Sequence, residues 1–152
     1  MKLKIKFANE LAKQIYARRE KPLAWNYGDS GLDVSYCGDA PQTIPAGGIA
    51  KFGTGLCCQL SGAPDDNFEI QVRGRSGLKV RGQLVPMGTI DFTYTGESHI
   101  IIYNASKEDF IVHPGDRIAQ FVIAPIIKPE IEFTDELQET ARGAKGFGSS
   151  GI

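Results

Sequence analysis

The stretch from Arg142 to Gly151 in this 152-residue chain reads RGAKGFGSSG, with four glycines, two cations and no acid. Closely spaced glycines let successive backbone N–H groups converge on an anion, while Arg142, Lys145, Ser149 and Ser150 add charge and hydroxyls. Phe147 stands in the middle with no core to fill, so its ring can close over a flat ligand such as a nucleobase. A Gly/Ser terminus with an incidental phenylalanine has the same composition. Upstream, Arg73-Gly-Arg75-Ser76-Gly77 follows an alternating run. Its fork donors, hydroxyl and small residue suit phosphate oxygens, and they equally suit a tight turn with a solvated arginine. In Gly88-Thr-Ile-Asp91-Phe-Thr-Tyr94-Thr-Gly96-Glu97, Asp91 stands at a turn, where a carboxylate can take a proton from water or simply cap the turn. Gly115-Asp-Arg-Ile-Ala-Gln120 ends on an amide that can donate to a phosphate, or it leads into a strand.

These residues need a scaffold, and the pattern between them is that of short strands. Lys2 to Phe7 alternates strictly, with Leu3, Ile5 and Phe7 on one face and three lysines on the other, a half-buried strand with a guarded edge. Asn9 to Arg19 is the one convincing helical pattern: Asn9 caps it, Leu11 and Ile15 share a face, and Pro22 stops it. Strand-like runs follow at Leu32–Cys37, Ile49–Leu60, Phe68–Arg73, Ser98–Tyr103, Phe110–Val112, Arg117–Ile123 and Ile126–Phe133. The 18 glycines and 8 prolines, about 17% of the chain against a background of roughly 12%, supply the turns between them. Many short strands with turn signals every 8–12 residues point to a β-sandwich, jelly roll or barrel. Glu130 to Glu139 holds five acids and no base, and the glycine-rich tail after it cannot hold regular structure by itself.

Composition excludes several classes. With 41% hydrophobic and 23% charged residues, the chain is that of an ordinary one-domain globular protein. A net charge of -1 lacks the basic excess expected for direct nucleic-acid binding. The longest apolar run, Phe121–Ile127, has seven residues and contains Pro125, far short of the ~20 that span a bilayer. No apolar stretch follows the first lysines, so no signal peptide is expected. Cys37, Cys57 and Cys58 form no CxxC pair, and with two histidines no zinc spacing exists. Reduced thiols in a cytoplasmic setting are expected.

Together the segments are more specific than any one alone. Asp33 within Ser30-Gly-Leu-Asp-Val34, then RSG, GTID..Y.GE, GDRIAQ and RG..GFGSSG, resemble in order and spacing the five motifs of the trimeric deoxyuridine triphosphate nucleotidohydrolases, the dUTPases. The resemblance runs from about Ser30 to Gly151. It implies an all-β fold, a dUTPase-like jelly roll or β-clip barrel over residues 1–141, with residues 142–152 a flexible phosphate-binding arm of the same domain. It implies a homotrimer with shared sites. One subunit would give the Asp33, Arg75–Gly77 and Gln120 segments, a second the Asp91 hairpin, and the third its arm. The implied reaction converts dUTP and water to dUMP and pyrophosphate with Mg²⁺, limiting uracil in DNA and supplying dUMP for thymidylate.

By position, Asp91 resembles the family's general base and Tyr94 the tyrosine that packs on deoxyribose. The hairpin with Val85, Thr89 and Ile90 corresponds to the backbone that reads uracil, where cytosine would leave buried groups unpaired. Arg75, Ser76, Gly77 and Gln120 resemble phosphate contacts, and Arg142, Phe147, Gly148 and Ser149 the covering arm. Asp33 resembles the aspartate that reaches Mg²⁺ through water, and a strand-end carboxylate with a structural hydrogen bond is its alternative. His99 falls at a substrate-proximal position or is an exposed strand histidine. The chain departs from the family at Gly74 (usually proline), at Pro86-Met87 (usually small), at Ser150 (usually threonine), and in its longer Asn9–Asn26 segment. A dCTP deaminase is similar in fold, but the glutamate such enzymes need corresponds here to Ile101. A nucleotide-bound regulator of the same fold is the other alternative.

Overall fold

Alternation of side chains fixes most of the architecture. In a computed structural model of the protein, residues 1–20, 23–62 and 67–144 are described. The strands are β1 (Lys2–Phe7), β2 (Leu32–Ser35), β3 (Gln42–Ile44), β4 (Ile49–Ser61), β5 (Phe68–Arg73), β6 (Gln83–Leu84), β7 (Gly88–Ile90), β8 (Glu97–Asn104), β9 (Phe110–Val112) and β10 (Arg117–Pro125). Two short helices, α1 (Glu10–Ala17) and α2 (Ser76–Val80), join them. One four-stranded sheet runs β1-β4-β8-β6, a second runs β2-β10-β5-β7, and β3 pairs with β9. All the pairings are antiparallel. Inward side chains Phe52, Leu56, Ile100 and Ile102 from the first sheet share one apolar cluster with Leu32, Val34, Ile70 and Phe121 from the second. This is the expected jelly-roll core, and each fully buried aliphatic or aromatic side chain in it contributes roughly 1.5–3 kcal/mol.

The helix is capped as expected, Asn9 Oδ1 accepting the Ala12 N–H at 2.8 Å. Its buried face is displaced by one residue, however. Ala12 and Tyr16 point inward, while Leu11 is 39% exposed. The reason is a bulge in β4 between Gly53 and Cys57, on which the helix sits. Gly55 there has φ +66°, and a Cβ on it would lie 2.3 Å from the Ala12 Cβ and 3.0 Å from the Cys37 Cβ. Only a small helical residue fits the notch. Gly55→Ala should therefore lose about 2–4 kcal/mol from left-handed strain plus overpacking. That is a fall in Tm of roughly 5–15 °C. Gly47→Ala is the control, with φ +71° but nothing within 4 Å of its Cβ. Thermal unfolding of the two variants compares them directly.

Pro22, expected to stop the helix, lies outside the described residues; α1 ends at Ala17. The expected strand Ile126–Phe133 is absent. Pro125 closes β10, Pro129 interrupts the residues beyond it, and neither proline offers an N–H to a ladder. Ile127, Ile131, Phe133 and Leu137 are 92%, 77%, 95% and 87% exposed along this extended stretch. All three cysteines are free thiols. Burial pushes Cys37 up to about 12 and Cys58 up to about 11, which leaves both chemically quiet. Among the described residues no helix is long and apolar enough to cross a membrane.

Candidate active site

Register across the second sheet gathers the polar residues. Phe121 is paired with Leu32 and Val72, and this rung is buried. One residue along, Gln120 is paired with Asp33 and Arg73, so that rung points outward. The Arg73 guanidinium turns along its own strand onto Gln71 Oε1 and leaves the space beside it open. The chain then leaves β5 through Gly74, and Arg75 precedes the first turn of α2.

Arg75 swings back over the sheet. Its Nε donates to Asp33 Oδ1 at 3.1 Å, and its Nη1 to the Arg117 carbonyl at 3.1 Å. Arg117 Nη1 donates to the other oxygen, Asp33 Oδ2, at 2.9 Å. A bulge between Arg117 and Ala119 turns the Arg117 side chain onto this exposed face. Asp33 is thus a two-sided brace that holds both guanidinium groups at the mouth of a cleft of about 300 Å³. Ser76, Gly77 and Gln120 line the same cleft, together with Asn26, Asp29, Ser30 and Gly31. Gly31 leaves room for the amide: a Cβ there would lie 2.2 Å from Gln120 Oε1, and the Gln120 side chain would have to shift. Two guanidinium groups, hydroxyls and amides, beside the braced Asp33 carboxylate and an Asp29 carboxylate that accepts from Asn26 Nδ2 at 2.7 Å, offer donors of the kind that suit phosphate oxygens.

The structure thus brings Asp33, Arg75, Ser76, Gly77 and Gln120 together, as the sequence motifs suggest. Arg117 and the Asn26–Gly31 wall are additions. Arg117 stands inside the GDRIAQ segment, but only the bulge reveals where it points.

Asp91 stands elsewhere. It follows β7, whose Ile90 is paired with Ile70 of β5, so the register carries it level with Glu69, near the end of β5 opposite to Arg73. Four residues along a strand at ~3.3 Å each put it on the order of 13 Å from that rung. The segment carrying Val85, Thr89 and Ile90 is not a closed hairpin: β6 pairs with β8 in one sheet and β7 with β5 in the other. Val85 and Ile90 are buried, while Thr89 is exposed. Tyr94 donates its hydroxyl to the Glu97 carbonyl at 3.0 Å, and its ring fills the space that a Cβ on Gly96 would need. His99 is on the outward face of β8, in the other sheet, with Nδ1 3.0 Å from the Glu97 carbonyl. It does not line the cleft. Arg142 is exposed in the extended C-terminal stretch, and Phe147, Gly148 and Ser149 lie outside the described residues.

The geometry can be set beside known proteins. The dUTPase family model matches residues 19–151. The deoxyuridine 5'-triphosphate nucleotidohydrolase of Psychrobacter cryohalolentis is 44% identical over 130 residues, 82% of this chain and 81% of that protein. The enzyme of the same name from Rickettsia massiliae is 42% identical over 126 residues, 81% of this chain and 82% of that protein. Among solved structures, a Staphylococcus bacteriophage 80alpha dUTPase with dUpNHpp has a TM-score of 0.77 at 23% identity, covering 99% of both chains. A dUTPase of phage phi11 of S. aureus, described with a structural Mg(II) ion, has a TM-score of 0.75 at 19% identity over 91% of this chain and 100% of that one. These two show the same fold. With the braced Arg75 corner, the ordered motifs and relatives above 40% identity in agreement, the chain belongs to the dUTPase family.

Proposed function

We propose that this protein is a dUTP diphosphatase, hydrolysing dUTP to dUMP and pyrophosphate, and so limiting uracil in DNA while supplying dUMP. The observation that carries the reading is the cleft in which one carboxylate braces two arginines beside Ser76 and Gln120. Phosphoryl transfer asks a protein mainly for position and charge neutralisation, and this cleft offers both. Asp91 is the general base for the attacking water, and Tyr94 packs on deoxyribose where a ribose 2′-OH has no room. The Val85–Ile90 segment reads uracil.

A homotrimer completes the site. Asp91 lies too far along the sheet to serve the cleft of its own chain, so a second subunit brings it to the Arg75 corner. Residues 142–152 form the arm that covers the nucleotide in a neighbour, with Arg142, Phe147, Gly148 and Ser149 as its contacts. The bare apolar side chains of Ile127, Ile131, Phe133 and Leu137 support an assembled state that covers them.

The residues fit Mg²⁺ carried by the substrate. Each Asp33 oxygen already accepts from a guanidinium but keeps lone pairs for water, and among the described residues no cluster of three or more His, Cys, Asp or Glu is placed to cage a metal. Asp33 would hold the ion through water, and the ion, when bound, neutralises triphosphate charge.

The deaminase alternative finds no support at Ile101, an apolar side chain 51% exposed on the outer face of β8. Pyrophosphate release from dUTP, dCTP, dTTP and UTP, with and without Mg²⁺, tests the proposal. dUTP should exceed the others in kcat/KM by about 10²-fold or more, and Mg²⁺ should be required. Ammonia release from dCTP would replace the proposal with deamination.

A further inference from the structure

The Asn9–Asn26 segment has no counterpart among the family motifs, and its end is tied to the cleft. Among the described residues only β10 pairs with β2, which makes β2 an edge strand. The free edge of a strand presents the N–H and C=O groups of alternate residues, here Asp33 and Ser35. Side chains of the helical segment fill both places. Tyr16 Oη accepts the Ser35 N–H at 3.0 Å, and Arg19 Nη1 donates to the Asp33 carbonyl at 3.0 Å. Arg19 is itself held, with its guanidinium carbon 5.2 Å from the Tyr16 ring centroid. Burial pushes that guanidinium below its ordinary value, and the nearby tyrosine and Asp33 oppose the shift. Arg19, Glu20, Gly115 and Arg117 line a small cleft of about 150 Å³, and Arg117 also lines the larger one.

Resting on the reading of the cleft as a phosphate site, we infer that Arg19 is a positioning residue: it pins the Asp33 backbone, and through the Asp33 carboxylate it aims Arg75 and Arg117 at phosphate. The α1 segment thereby takes the place of a neighbouring strand at one edge of the site. Without Arg19 the carbonyl of Asp33 turns to water, the edge strand loosens, and the brace no longer holds two guanidinium groups in a fixed relation. Binding suffers before chemistry, because the arginines still reach a phosphate but lose more conformational freedom in doing so.

Steady-state kinetics with dUTP and calorimetric titration with inorganic pyrophosphate test this. Arg19→Ala should raise KM about fivefold or more with kcat within about twofold, and weaken pyrophosphate by the same factor. Arg19→Lys keeps a stem over Tyr16 and one donor, and should recover most of the loss. In an Asp33→Asn background, Arg19→Ala should add less than about twofold, because both changes act through one brace. Wild-type KM and pyrophosphate affinity in Arg19→Ala overturn the inference, as does a fully additive loss in the Asp33→Asn background. A loss that Arg19→Lys does not recover, or that follows Tm down in both variants, makes the residue merely structural and also overturns it. A wild-type protein that binds pyrophosphate without hydrolysing dUTP defeats the proposed activity alone, and the pyrophosphate arm then decides the role of Arg19.

Discussion

Asp91→Asn should lower kcat for dUTP by roughly 10²–10⁴-fold, the range contributed by a positioned general base. The amide keeps the size of the carboxylate and its place after β7 but cannot accept the proton of the attacking water. Asp91 is exposed and belongs to no ion pair among the described residues, so the change should move stability by less than about 0.5 kcal/mol. Binding of an imido analogue of dUTP should stay within about threefold of wild type, because the cleft lined by Arg75, Ser76 and Gln120 is untouched. Turnover comparable to wild type would remove Asp91 as the base.

Deleting residues 142–152 should cost about 10²-fold or more in kcat/KM while the body remains folded. Loss of a single preorganised donor to developing charge costs about 10²–10³-fold. The segment carries two cations, two serines and a run of glycine N–H groups, and its closure also excludes water. The last strand, β10, ends at Pro125, so the body keeps every core side chain found among the described residues. Light scattering should still give three subunits of slightly under 16.5 kDa each. Unchanged steady-state rates in the shortened protein would defeat the arm as part of the site.

Much of the architecture was legible in the amino-acid sequence, and the parts that were not share a cause. β1, β5 and β9 fall at their expected bounds because each is an isolated alternating or apolar run. β3, β6 and β7, with two or three residues each, are too short to show a period of two. α2 was hidden because Arg-Ser-Gly reads as a corner, whereas Ser76 opens a short helix. The apolar stretch after Pro125 has the residue types of a strand, but among the described residues it joins no sheet. The motif residues Asp33, Arg75 and Gln120 could be named from order and spacing, yet their mutual geometry depends on the pairing of three strands. Arg19 and Tyr16 carry no signal at all in the sequence. They act on backbone groups of β2, and any strand would offer those groups.

The notch at Gly55 has a consequence for protein engineering. Ala12 of helix α1 and the missing Cβ of Gly55 beneath it form a lock and its keyhole, 43 positions apart in the chain. Transplanting the helix alone onto a relative with an ordinary residue at that place would leave it riding above the sheet, its tyrosine and arginine out of reach of the strand they fasten. Both halves must travel together.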